Sequence, residues 1–466
     1  MSRWLAVFLL MATGLAAQQP PSAPMDSGAV ARVLALLKTS DSTVCELAGQ
    51  AISNSWGFPW EPRLLPTPMP MPMPTPMPMP MARRVGIRVP HIHVHVHHPG
   101  DWRREDATML GAFRAVLRDD SRCVRHIAAR VLGRARSPGS YDAFLALLRE
   151  ASPGLRETGA LGLSELEDRR ALRPLQEALR DRDPGVRAMA ARGVGEIADS
   201  SSIAALGRLL ADDAVPVREA AAWALGEIAG TQAIAPLSQA LRDRSPEVRA
   251  MAAWALGQIE SPRSVSALGD ALRDPSPRVR RATVWALGQI ADGDAVDLLL
   301  PLLRDSDSDV RMAATHALGE IGSQRAVRGL GTLVHDASPE VRRAAIWALG
   351  DIGDGSALEA LQAALKDVDS ETRQLAAWAL GEIGNADAVD PLAAALKDRD
   401  AEVRVAAAWG LGQIESTRAR EPLRAALNDE AGDVQDAARW ALDQMGDDDE
   451  RPLVKTRPRV RLKRRI

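Results

Sequence analysis

Four sets of residues in this sequence have types and spacings that suggest chemistry. The first is a run of soft and borderline metal ligands. Met69, Met71, Met73, Met77, Met79 and Met81 alternate with proline, and His91, His93, His95 and His97, with His98 beside them, alternate with branched apolar residues. Thioethers suit copper(I), and neutral imidazoles bind copper or zinc. In an extended strand His91, His93, His95 and His97 would share one face. The competing reading is a low-complexity, polyproline-like spacer with no fixed coordination geometry.

The second set is a column of indoles: Trp223, Trp254, Trp285, Trp347, Trp378, Trp409 and Trp440, with His316 replacing the ring once. Large amphipathic indoles are frequent anchors at binding surfaces. They fall off the apolar stripe of their helices, one turn before Glu227, Gln258, Gln289, Glu320, Asp351, Glu382, Gln413 and Gln444. Either they present a binding face, or each lies flat on the small residues of its neighbour. The third set is a column of arginines, and the fourth is the cysteine pair Cys45 and Cys123. In an oxidising compartment such a pair suggests a disulfide. Closing a loop of this length would contribute ~4.5 kcal/mol at most, although adjacent-helix spacing works against the short Cα separation required.

The arginine column identifies what must position all of these. Arg125, Arg156, Arg187, Arg218, Arg249, Arg280, Arg311, Arg342, Arg373 and Arg404 recur every 31 residues, and Gln435 takes the eleventh position. A strict period of this length means stacked supersecondary units. Within one unit, Val217, Ala221, Ala224, Leu225 and Ile228 form one helical stripe. Gly226 recurs at the same register inside that helix, which points to close approach of a neighbour. A shorter helix follows, as in Ala388 to Leu396, with Pro391 near its start. It ends at an acidic column running from Asp119 through Glu150 and Asp181 to Asp429. Ser245, Ser276, Ser338 and Asp183, each before a proline, are the expected caps of the long helices. Six residues separate each column aspartate from the next arginine, as in Asp212 and Arg218. That spacing predicts a structural ladder at Arg218, Arg249, Arg280, Arg311, Arg342, Arg373 and Arg404, tying each guanidinium to carboxylates or carbonyls of its own and the adjacent unit.

The expected architecture is all-α: a right-handed α-solenoid of about 12 two-helix repeats. Its long helices would line a surface on the order of 60–80 Å long over seven or eight units. The expected organisation is a signal peptide at 1–17, a degenerate repeat at 26–54, a Pro/Met/His-rich insertion at 55–104, the array at 105–446 and a tail at 447–466. Arg3, the apolar run Trp4 to Leu15 and the small residues Ala16 and Ala17 carry the signal reading, which places the protein in the periplasm or cell envelope. The tail turns from Asp447, Asp448, Asp449 and Glu450 to Arg451, Lys455, Arg457, Arg459, Arg461, Lys463, Arg464 and Arg465. It is either a solvated tail or a dock for anionic lipid or lipopolysaccharide. A net charge of −3 gives no general reason to expect a nucleic-acid partner.

The pattern Val-Arg-x-x-Ala-x-Trp-Ala-Leu-Gly-x-Ile, as at Val217 to Ile228, resembles the short HEAT repeats associated with phycobilisome lyases, and the resemblance runs from Asp119 to about Met445. It implies that the Val-Arg helices line the concave side. It implies a protein partner, and a membrane-embedded sensor or peptidase is one such partner for related bacterial arrays. Deoxyhypusine hydroxylases, which share the scaffold, hold two irons through His-Glu pairs. This sequence has no His-Glu dipeptide, and its array histidines are His126, His316 and His335. No nucleophile triad, phosphate loop or zinc signature appears either. The expected function is therefore a non-catalytic scaffold without a resident cofactor, binding a protein along the tryptophan column. The alternatives are a copper- or zinc-binding envelope protein using the Met/His segment, and a lyase- or hydroxylase-type enzyme subunit.

Overall fold

In a computed structural model, the structure describes residues 104–446. These residues form 22 α-helices, and no strand occurs among them. They fall into two compact units that divide between Ala255 and Leu256. In the first unit the helices are α1 (Arg104–Ala115), α2 (Arg122–Arg134), α3 (Ser140–Leu148), α4 (Pro153–Glu165), α5 (Leu172–Ala178), α6 (Pro184–Ile197), α7 (Ile203–Leu209), α8 (Val215–Ile228) and α9 (Ile234–Ala240). The division falls within α10 (Pro246–Gln258). The second unit continues with α11 (Val265–Ala271), α12 (Pro277–Ile290), α13 (Ala295–Leu299), α14 (Ser308–Ile321), α15 (Val327–Thr332), α16 (Pro339–Ile352), α17 (Leu358–Ala364), α18 (Ser370–Ile383), α19 (Val389–Ala395), α20 (Ala401–Ile414), α21 (Arg420–Ala426) and α22 (Gly432–Gln444). The expected segments at 1–17, 26–54 and 447–466 lie outside the described residues, as does all but the last residue of 55–104.

Each unit is a solenoid layer of long helices backed by a layer of short ones. Long helices pack side by side: α2 on α4, α4 on α6 and α6 on α8 in the first unit, and α12 on α14 through to α20 on α22 in the second. The cause is the stripe. Val217, Ala221, Ala224 and Leu225 have no exposed surface, as do Val310, Ala314 and Leu318 in α14. Burying one such leucine contributes roughly 2–3 kcal/mol.

Local signals set the helix ends. The Asp183 carboxylate accepts from the Gly185 and Val186 N–H groups at the start of α6, and the Ser338 hydroxyl accepts from Val341 N–H at the start of α16. Ser276 departs from the expected pattern: it has the extended cap backbone, φ −84° and ψ 119°, but no side-chain cap bond. Pro277 carries the turn there, with its φ preset for the first helical position and no N–H to satisfy. Seven of the long helices then stop at a left-handed residue: Ala198, Ala229, Ala291 and Glu415 at φ 49–55°, and Gly322, Gly353 and Gly384 at φ 66–69°. The register glycine three residues earlier, Gly226 or Gly319, lies inside the helix.

The arginine column joins successive repeats. In the first unit Arg218 donates through Nε and Nη2 to both Asp243 oxygens at 2.7 and 2.9 Å, and through Nη1 to the Asp212 and Asp213 carbonyls at 2.9 and 3.1 Å. The same fork joins Arg311 to Asp336 in the second unit, at 2.7 and 2.8 Å, with Nη1 on the Asp305 carbonyl at 2.8 Å. Each aspartate also accepts from the N–H two residues later, as Asp336 does from Ser338. The last position keeps only the carbonyl half: Gln435 Nε2 donates to the Asp429 carbonyl at 2.7 Å.

Burial pushes the Asp243 and Asp336 carboxyls up, but the arginine and backbone N–H bonds outweigh it and hold both below the ordinary aspartate value. A depressed folded pKa contributes stability above the unfolded pKa, near 3.9, and this is lost as pH falls through the folded value. Urea unfolding should therefore show a wild-type midpoint that drops from pH 5 to pH 2.5. The Arg218→Met variant should be about 3 kcal/mol less stable at pH 7, since it leaves a largely buried carboxylate unpaired, and that deficit should shrink on acidification. The glycine column gives a second expectation. A Cβ on Gly381 would lie 2.5 Å from Gly410 Cα, so Gly381→Ala should cost about 1–3 kcal/mol despite alanine's helix propensity. At Gly288 the nearest atom is Ala317 Cβ at 3.1 Å, and Gly288→Ala should be close to neutral in the same melt.

Candidate functional site

The indole column closes over the glycine column. A Cβ on Gly226 would lie 2.7 Å from Trp254 Cζ3, on Gly257 2.8 Å from Trp285 Cζ3, and on Gly412 2.8 Å from Trp440 Cζ3. Each ring thus lies on the small surface of the preceding repeat, where any side chain larger than glycine would displace it. Trp223, Trp254, Trp378, Trp409 and Trp440 are only 4–8% exposed. Trp285, Trp347 and His316 are half-buried. The expectation of an open tryptophan-lined face therefore gives way to the packed arrangement at five of these positions. The physical reason is that the glycine leaves a flat recess one ring deep, which the next indole fills.

The exposed groups of the long-helix layer lie one turn later. Glu196 and Glu227 occupy this position in the first unit; Gln258, Gln289, Glu320, Asp351 and Glu382 occupy it in the second, and all are exposed. No lysine or arginine shares the position from Glu196 to Gln444. The arginine column, which is largely buried, is engaged between repeats: Arg280 with Asp305, Arg342 with Asp367, Arg373 with Asp398 and Arg404 with Asp429. Arg249 donates through Nη1 to the Asp243 carbonyl at 2.9 Å.

The tryptophan register begins earlier than its first indole. Counting back 31 residues gives Arg192, Leu161 and Arg130 at the same position. Arg192 lies over the Trp223 ring, 5.6 Å from its centroid, so a cation–π contact takes the place of an indole there. The same period also aligns His126 with Glu157, residues that share no motif. His126 Nε2 is 3.7 Å from Glu157, which also pairs with Arg122. Burial lowers the His126 imidazole's pKa. The Glu157 carboxyl is pushed up by burial, but the neighbouring His126 and the bond from Arg122 bring it to about 2. This group sits at the start of the array and ties α2 to α4.

Cys123 is disulfide-bonded, while Cys45, the sequence's other cysteine, lies outside the described residues. The candidate ligands Met69 to Met81 and His91 to His98 also lie outside them. Among the described residues no group of three or more His, Cys, Asp or Glu side chains could hold a metal ion. No helix among them is long and apolar enough to cross a membrane.

No curated protein matches the sequence. Among solved structures, importin beta is similar with a TM-score of 0.52 and 17% identity, over 75% of this chain and 57% of that one. Human deoxyhypusine hydroxylase is similar at 0.26 and 26%, over 55% and 99%, and a phycocyanin lyase complex from Nostoc at 0.31 and 23%, over 53% and 94%. Of these three, the importin beta likeness shows the fold, and the others carry no argument. The family description "HEAT repeats" matches 110–182, 141–226, 172–244, 215–274, 265–336, 327–400 and 389–458, overlapping segments that together cover most of the sequence. With that coverage, and with helix pairs repeating every 31 residues, the chain belongs to the HEAT-repeat family.

Proposed function

We propose that this chain is a non-catalytic scaffold that binds another protein along the exposed row of its long helices. The observation that carries the reading is the contrast within that layer of the second unit. The arginines and most of the indoles are used up in holding repeats together. Gln258, Gln289, Glu320, Asp351 and Glu382 are exposed at one register. A row of carboxylates and amides without interposed cations favours a partner surface carrying basic or hydrogen-bond-donating groups. The N-terminal run from Arg3 to Ala17 supports a place for this scaffold in the cell envelope, where a membrane-embedded sensor or peptidase is a suitable partner. The basic residues Arg451 to Arg465 support a second contact, with anionic lipid.

A photo-crosslinking amino acid placed in living cells separates this reading from its rivals. Incorporation at Gln289 or Asp351 should trap a discrete partner, while incorporation at Glu359, exposed on the short helix α17, should not. Reversing Glu320, Asp351 and Glu382 to lysine together should cut the yield at Gln289 at least tenfold with the helical signal unchanged. Crosslinks arising only from Glu359, or insensitive to the charge reversal, would contradict the proposal.

A further inference from the structure

The tryptophan register is interrupted once between Trp223 and Trp440, at His316, and the surroundings respond. Over Gly257, Gly350, Gly381 and Gly412 an indole Cζ3 sits 2.8–3.1 Å from the Cβ position. Over Gly288 no ring atom is among the nearest three: Ala317 Cβ lies at 3.1 Å, and Glu320 Oε2 has turned in to 3.7 Å. Over Gly319 the Trp347 ring stands off at 3.7 Å. Trp285 and Trp347, on either side of the histidine, are the half-buried members of the column, whereas Trp378, Trp409 and Trp440 are at most 8% exposed. An imidazole covers less than an indole, so the ring position over Gly288 is a slot flanked by the half-buried Trp285 and Trp347.

The slot has its own electrostatics. His316 and Glu320, one helical turn apart, make no hydrogen bond or ion pair among the described residues. Burial alone pushes the imidazole pKa down and the carboxyl pKa up. On the same helices Arg280 pairs with Asp305, Arg281 with Asp309, Arg311 with Asp336, Arg342 with Asp367 and Arg343 with Asp369, and Arg278 stands at the opposite end of α12, in its first turn. An unpaired carboxylate therefore lies beside a neutral ring and accessible indole surface, in a space shaped for a planar group. A guanidinium is planar, permanently charged and weakly hydrated, and it stacks on aromatic faces while pairing with a carboxylate.

We propose that this slot receives one arginine side chain of the partner protein, seated over Gly288 in the place of the missing indole, with Glu320 as its counter-ion. The inference rests on the proposed partner-binding role of the exposed row, to which Glu320 belongs.

The full chain can be titrated with the capped peptide Gly-Gly-Arg-Gly-Gly, following the indole N–H signals by NMR. The controls are the same peptide with citrulline, the uncharged isostere of arginine, or with glutamate. The arginine peptide should shift the Trp285 and Trp347 signals saturably, and citrulline should bind at least tenfold more weakly. His316→Trp should abolish the shift while melting at or above the wild-type temperature, because it restores the indole-on-glycine contact. Glu320→Gln should weaken binding at least tenfold, and it serves as the deciding variant if His316→Trp fails to fold. Equal binding of arginine and citrulline peptides, no saturable shift, or binding retained in a folded His316→Trp or Glu320→Gln protein would overturn the proposal. Crosslinking at Gln289 retained while peptide binding is absent would remove the slot alone. Loss of crosslinking with peptide binding intact would remove the scaffold reading instead.

Discussion

The forked bond from each column arginine to the aspartate of the following repeat is the interaction on which the rest of each unit depends. It does three jobs with two side chains. In the second unit Arg311 reaches forward to the Asp336 carboxylate and back to the Asp305 carbonyl. Asp336 at the same time fixes its own turn by accepting from Ser338 N–H. The loop between a short helix and the next long helix is thereby locked to two repeats at once. Charge-assisted, two-point bonds are the strong kind, and part-burial shields them from screening by salt. The side-chain exposures of 15% and 8% for Arg311 and Asp336 place this rung well apart from the exposed pairs at the surface, such as Arg418 and Asp390 at 53% and 75%.

A fixed repeat spacing imposes the glycine and alanine surface, and that surface imposes the indoles. Once long helices are held in register, their contact is made of glycine against alanine or glycine, and at positions such as Gly381 an added methyl meets backbone on the far side. The recess that results is covered by a ring from the next repeat. Packing thus consumes the residue type that would otherwise be the natural binding anchor. What the packing leaves exposed is a row of carboxylates and amides, together with the one position where the ring is absent. The architecture suits a scaffold because its strong interactions are spent within and between repeats.

Most of the fold was legible in the sequence because a strict period leaves little freedom. The recurrence from Arg125 to Arg404 sets the repeat, the Val-Ala-Leu stripe sets the buried face, and Gly226 inside that stripe signals a close approach. The expected short helix from Ala388 to Leu396 spans Val389–Ala395. Other features were hidden for physical reasons. Helix ends fall on left-handed Ala229 and Ala291 as readily as on Gly322, so composition alone did not mark them. The tryptophans sit off the apolar stripe, and a helical wheel cannot show that a neighbour's glycine makes room for them. Arg192 and Arg130 share the indole register without sharing its chemistry, and His126 meets Glu157 across two helices. The departures at His316 and Gln435 were visible as breaks in a column, but the recess over Gly288 and the inward turn of Glu320 needed coordinates.

A double-mutant cycle on Arg311 and Asp336, using Arg311→Met, Asp336→Asn and both together, tests most directly whether the rung holds the repeats. Equilibrium unfolding in urea at pH 7 supplies the three free-energy differences. The account predicts a favourable coupling of about 2 kcal/mol or more, decreasing as the pH is lowered and the carboxylate protonates. Additive single-mutant losses, with coupling below about 0.3 kcal/mol at pH 7, would contradict it.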